Sequence, residues 1–203
     1  MTYVGKVLGP VRIFLMTVFA LLLLFAASTD ASARLSTKPD DFPVGVELRA
    51  PGSETPYMSY VTDIELSSDG KVAYVIGTFN RAFDKTATYS RPGFVAIDLV
   101  NKQVLPQTVD LLGPNIVGEP FVIKRTGDWL YIGGGLTVVN GHPVHALVRI
   151  DARTAQPDFG FDPYTKGFVN AIEFGPSSKP SKLPELFVGG YFDSVAGPQG
   201  PVV

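Results

Sequence analysis

The chain has 203 residues with 17 Lys+Arg, 19 Asp+Glu and no cysteine. Near-balanced charge argues against nucleic acid or an anionic membrane surface as partner. The lack of cysteine excludes thiol catalysis, Cys-ligated zinc, a lipobox anchor and a disulfide scaffold, so the fold must rest on its apolar core.

Residues 1–33 read as a Sec-type signal peptide. A short basic region holds Lys6 and Arg12, and an apolar run follows from Ile13 to Ala27, including Leu21 to Leu24. The run falls short of the roughly 20 residues a spanning helix needs, which disfavours an uncleaved anchor. Ala31-Ser32-Ala33 is a small-x-small pattern, so cleavage is expected between Ala33 and Arg34. Loss of Lys6, Arg12 and Asp30 leaves 15 Lys+Arg against 18 Asp+Glu, a formal charge of −3. No second apolar run follows, so no membrane span is expected after export, and the protein is expected to be secreted or held in the cell envelope.

Residues 34–56 carry Pro39, Pro43, Pro51 and Pro56 and read as a linker or lead-in strand. The structured part is expected from near Tyr57. Three similar segments then follow. The first runs Val61 to Leu66, turns at Ser68-Asp69-Gly70, and continues Val72 to Phe79. The second runs Phe121 to Lys124, turns at Thr126-Gly127-Asp128, and continues Trp129 to Leu136. The third runs Val169 to Phe174, makes a longer turn, and continues Glu185 to Phe192. Each is a short strand, a polar turn and a second strand ending in glycine.

Phe79, Leu136 and Phe192 recur at a nearly constant spacing. Gly77, Gly133-Gly134 and Gly189-Gly190 precede them. A further strand ends in Asp98 in the first unit and in Asp151 in the second. This period sets units at about 57–112, 113–165 and 166–203. Such short strands are marginal as isolated hairpins, and packing several small sheets side by side is the propeller solution. After Arg34 no long segment has helical periodicity free of Gly or Pro. The expected class is all-β, with propeller-like repeats preceded by a helical signal peptide.

The run Leu130-Tyr-Ile-Gly-Gly-Gly-Leu-Thr-Val-Val-Asn-Gly141, then Ala146-Leu-Val-Arg-Ile-Asp151, Asp158-Phe-Gly-Phe-Asp-Pro163 and Val169-Asn-Ala-Ile172 resembles the delta-60 type repeat of bacterial secreted and surface proteins. The resemblance implies a β-propeller over 57–203. It is closest over 120–203. The first unit departs from it, with Ile76-Gly77-Thr78 for the Gly-Gly element and a longer connection through Arg81 to Ser90. Three units are too few to close a ring of four to eight blades. The third breaks off at Gly200-Pro-Val-Val203, so the expectation is an incomplete ring, an N-terminal piece of a longer protein rather than a chain that assembles with others.

Candidate chemistry is sparse. His142 and His145 lie three apart in a turn, and a metal would need a third ligand such as Asp151. They read as exposed loop histidines. Gly133-Gly134-Gly135 could suggest a phosphate loop, but a strand rather than a helix is expected after it, and the recurrence at Gly189-Gly190 favours close backbone approach. Asp98 and Asp151 recur at one repeat position, which favours a turn or inter-strand hydrogen-bond role over catalysis. Asp158 and Asp162 could form an acid–base pair, yet they sit in the repeat's own Phe-x-Pro segment. Trp129 reads as core. No catalytic, cofactor or metal residue is assigned. The functional reading is a non-catalytic exported module presenting loops to a protein or glycan at the cell surface. The alternatives are part of a propeller enzyme whose site lies in other blades, and a structural module of a larger surface protein.

Overall fold

Alternating apolar and polar residues, broken by Gly, Pro and Asp turns, give this chain short antiparallel strands. The computed structural model describes residues 42–50, 52–53, 55–114, 116–176, 184–197 and 200–202. The signal segment 1–33, with Ala33 and Arg34, lies outside them. In chain order the strands are β1 Gly45–Glu47, β2 Tyr60–Leu66, β3 Val72–Thr78, β4 Arg81–Phe83, β5 Thr88–Ser90, β6 Phe94–Asp98, β7 Gln103–Val104 and β8 Pro120–Thr126. They continue as β9 Trp129–Gly134, β10 Val138–Val139, β11 His142–Pro143, β12 Leu147–Asp151, β13 Lys166–Gly175, β14 Glu185–Gly197 and β15 Gly200–Val202. Among the described residues there is no helix, and so none long and apolar enough to cross a membrane.

Three antiparallel sheets carry the fold, in strand order β2-β3-β6-β7, β8-β9-β12 and β13-β14-β15. They stack through two apolar layers. Tyr74, Ile76, Phe94 and Ala96 of the first sheet meet Ile123, Leu130, Ile132, Val148 and Ile150 of the second. The other face of the second sheet, with Val122, Tyr131 and Leu147, meets Val169 and Ile172 of the third. The first strands lie side by side, β2 against β8 and β8 against β13. Two polar bonds tie the first pair: Thr62 Oγ1 donates to the Pro120 carbonyl at 2.7 Å, and the Ile123 amide donates to Asp63 Oδ2 at 2.9 Å. The described sheets form a stack and not a closed ring.

The repeat can be read bond by bond. Gly93 N donates to the Phe79 carbonyl, and Ala146 N to the Leu136 carbonyl. Leu99 N donates to the Lys71 carbonyl, and Ala152 N to that of Asp128. Leu105 N donates to the Ala96 carbonyl, and Asp158 N to that of Arg149. All three first strands carry a register shift at the same place, between Val61 and Asp63, Pro120 and Val122, and Val169 and Ala171. Each shift places a carbonyl over the glycine of the second strand. A Cβ on Gly77 would lie 1.9 Å from the Tyr60 oxygen, on Gly134 2.1 Å from that of Glu119, and on Gly190 2.0 Å from that of Phe168. The second glycine of the Gly-Gly element is therefore required by a β-bulge. The first is not demanded by the bulge: Ile76 stands there in the first unit and fills the core, while Gly133 is kept small by Val169, 2.5 Å from where its Cβ would lie.

Two features differ from the sequence reading. The 34–56 segment holds β1, ahead of Tyr57, so it takes the lead-in strand form. β1 pairs with β4, and β4 with β5, to make a small sheet over the outer face of the first. Val44, Val46, Ala82 and Tyr89 thereby cover Ala73, Val75, Val95 and Ile97. That apolar face is the physical reason the segment docks. The second difference is that β9 stops at Gly134 and the chain turns away, so Leu136 to Val139 is no continuation of that strand. Leu136 is buried in the layer between the first two sheets.

Asp84 holds the β4–β5 hairpin to the first sheet. Its Oδ1 accepts from Thr86 N, Thr86 Oγ1 and Ala87 N, and its Oδ2 accepts from Val104 N at 2.9 Å. The Thr86 hydroxyl above all, with these amides, keeps its carboxyl well below the ordinary carboxylate range. A depressed folded value contributes stability that is present above the unfolded value of about 4 and is lost as the pH falls below it. Asp84→Ala is therefore expected to cost about 1 kcal/mol at pH 7, solvent screening included. The gap between variant and parent should shrink from pH 4 downward in thermal melts. An equal gap at pH 7 and pH 2.5 would remove the carboxylate from the account.

Candidate functional site

The two ends of the strands are built differently. One end carries short turns: Ser67 to Lys71, Thr126 to Asp128, and the turns after Asp98 and Asp151. Asp98 Oδ1 accepts from Val100 N and Asn101 N, both at 2.8 Å. Asp151 Oδ1 accepts from Arg153 N at 3.0 Å and Thr154 N at 2.8 Å. Lys102 and Ala155 then take the left-handed conformation at matching places, φ 55° and 58°. Bonds from Asn101 hold the Asp98 carboxyl below its ordinary range. Burial pushes Asp151 upward, and bonds from Thr154 and Arg153 more than reverse it. Both carboxylates cap turns, one of the two roles their recurrence suggests.

The other end carries the long connections, and there the second unit gathers aromatic and ionisable side chains. The β10–β11 hairpin places His142 and His145 beside the segment that leads from the second sheet to the third. The His142 and Phe159 rings lie 4.4 Å apart between centroids, and those of His145 and Tyr164 4.0 Å apart. His145 Nδ1 lies 3.0 Å from Asp162 Oδ2, and Asp162 Oδ1 accepts from Tyr164 N at 2.9 Å. Tyr164 is 52 % exposed, and Phe159 and His142 are exposed too. The cluster is thus two tilted histidine–aromatic pairs, of which the His145–Tyr164 pair is bonded to Asp162.

Asp162, and not Asp151, is the carboxylate beside His145. Among the described residues no group of three or more His, Cys, Asp or Glu is placed to hold a metal ion. Scans against family models, curated proteins and solved structures give no match to this chain. Asp158 and Asp162 are held by different partners, Asp158 by Arg149 and Asp162 by His145. The Arg149 bond is the main cause that keeps the Asp158 carboxyl below its ordinary range.

Arg149 is the residue the sequence pattern did not single out. Its guanidinium sits 4.5 Å from the Trp129 ring centroid and 4.9 Å from that of Phe161, and it bonds Asp158. Trp129 packs partly buried at the edge of the layer between the second and third sheets. A strand arginine flanked two positions later by the turn aspartate carries no signal of its own. Only the register, which sets Arg149 opposite Tyr131, brings the group together.

Of the repeat glycines, Gly77, Gly134 and Gly190 sit at the bulges. Gly133 lies against Val169, and Gly189 opposite Ala171. Phe79 and Leu136 fill matching apolar positions, and Phe192 is half-buried on β14.

Proposed function

We propose that the chain is a non-catalytic, exported β-propeller module of the delta-60 repeat type, which recognises a protein or glycan at the cell surface through its long-connection end. The observation that carries the reading is the exposed cluster of His142, Phe159, His145 and Tyr164 with Asp162. Surface rings packed against a neighbouring ring lose less entropy on binding than free ones, and an apolar face beside donors and acceptors suits a protein or sugar surface. The bond-for-bond repetition of strands and bulges supports a modular scaffold that keeps such loops in place. The signal segment supports export.

The test is expression of the full reading frame in a secreting host. The mature chain is expected to begin at Arg34 by N-terminal sequencing. That material is then screened on a glycan array and against purified surface proteins. Phe159→Ala with Tyr164→Ala should weaken any binding found by about 30-fold, as for a central aromatic contact, and leave the melting temperature close to the parent's. Unchanged affinity in that variant places recognition elsewhere.

A further inference from the structure

The layer between the first and second sheets does not close at the short-turn end. A cavity of about 590 Å³ remains there, lined by Ser67, Ser68, Tyr74, Gln107, Arg125, Asp128, Asp151 and Arg153. Its origin is visible in the repeat. Tyr74 on β3 and Tyr131 on β9 occupy the same position, one repeat period apart. Tyr131 lies opposite Arg149, and Tyr74 lies opposite Ala96. In the layer between the second and third sheets, Arg149 and Trp129 fill the space beside the tyrosine, and Phe161 and Phe174 close on its ring at 5.4 and 5.1 Å. In the first layer Val72 stands at the Trp129 position and Ala96 at the Arg149 position. The smaller side chains leave the space open.

The open space contains polar groups that the protein does not satisfy. Tyr131 Oη accepts from Arg149 Nη1 at 3.5 Å. Tyr74, 6 % exposed as a whole, lines the cavity, and among the described residues its hydroxyl bonds no protein group. Of the cavity's polar atoms, Gln107 Oε1 is the one that is fully buried without a partner among the described residues. Buried polar groups are nearly always paired, and one left unpaired costs roughly 1–3 kcal/mol. Around them stand two guanidinium groups, Arg125 and Arg153, and two carboxylates, Asp128 and Asp151. Arg125 is fixed by bonds from Nε to the Leu66 carbonyl and from Nη1 to the Gly127 carbonyl, at 3.1 and 2.7 Å.

We propose that this cavity binds a neutral sugar unit. The two cations and two carboxylates cancel, so the site favours neither a phosphate nor an amine. Donors beside acceptors, with Arg125 held in place, are what vicinal hydroxyls require, since each hydroxyl both donates and accepts. The volume is in the ordinary range of small-ligand sites. The cavity shares no residue with the histidine–aromatic cluster and opens at the opposite end of the strands, so it goes beyond the recognition surface proposed above.

The test titrates the full-length protein with the methyl glycosides of glucose, galactose, mannose and N-acetylglucosamine. Methyl glucuronide and methyl glucosaminide serve as charged controls, and amide chemical shifts are followed by NMR. At least one neutral glycoside is expected to bind with a Kd near 1 mM or tighter, shifting amides of residues 67–74 and 125–128, with the charged controls weaker. Tyr74→Phe keeps the ring and removes the hydroxyl, and should weaken binding about tenfold. Arg153→Gln, at an exposed position, should weaken it without affecting the fold. Ala96→Arg, which rebuilds the filling seen in the next layer, should abolish it where that variant still melts cooperatively. The corresponding disaccharides separate a chain end from a free monosaccharide as the source, since a chain end predicts tighter disaccharide binding. Phe159→Ala with Tyr164→Ala should leave this binding unchanged, so failure of the loop surface and failure of the cavity are read separately. No shift with any neutral glycoside, or shifts insensitive to both Tyr74→Phe and Arg153→Gln, overturns the assignment and leaves a water-filled cavity only.

Discussion

Gly134→Ala is expected to destabilise the protein by about 3 kcal/mol, although it adds one methyl group to a strand residue. The new Cβ would lie 2.1 Å from the Glu119 carbonyl oxygen and 2.8 Å from Pro120 Cα, both backbone atoms. Neither can swing aside as a side chain would. Relief requires the bulge at Phe121 to straighten, and straightening shifts β8 by one position and turns its apolar face outward. Gly189→Ala is the internal control. Its Cβ would meet only Ala171 Cβ at 3.5 Å, an ordinary contact, and alanine is favoured over glycine in a strand by roughly 0.5–1 kcal/mol. Urea unfolding of the two variants should separate them clearly, with Gly189→Ala at or slightly above the parent. Equal stability of both would mean that the bulge is not the reason for glycine.

The second large effect is expected in the layer between the first two sheets. Phe94 is fully buried, and its ring stacks on Tyr74 with centroids 6.4 Å apart and planes at 18°. Phe94→Ala removes one of the largest side chains of that layer and should cost about 4 kcal/mol. That is a large part of the roughly 5–15 kcal/mol a domain of this size usually holds. Phe187→Ala offers the contrast. Phe187 lies on the far face of the third sheet, 56 % exposed, and its loss should change stability by less than about 0.5 kcal/mol. A cost for Phe187→Ala comparable to that of Phe94→Ala would show that the far face is covered in solution.

The positions of β3, β6, β9 and β12 were legible because each is an apolar run closed by glycine or aspartate, and both signals are local. The capping role of Asp98 and Asp151 was legible for the same reason: an aspartate followed by a tight turn satisfies its own neighbours' amides. The β4–β5 hairpin was not. Arg81-Ala-Phe-Asp-Lys-Thr-Ala-Thr-Tyr-Ser90 has no strong apolar alternation, and its strands exist because β1 pairs with them and Asp84 anchors them to Val104. The histidine–aromatic stacks were equally hidden, since His142 and Phe159 are distant in the chain and meet only when two connections return to one end of the strands.

By itself, then, the sequence determined an all-β chain with a regular repeat period and the place of its turns. These follow from alternation, glycine and aspartate, which act over short stretches of chain. Tertiary structure decided why the second glycine of each pair is obligatory, because only strand register shows the carbonyl above it. It also decided that the first layer has a cavity where the second is filled. The differences between Ala96 and Arg149 and between Val72 and Trp129 are two substitutions in sequence, and they become an open space only when two sheets are pressed together around them.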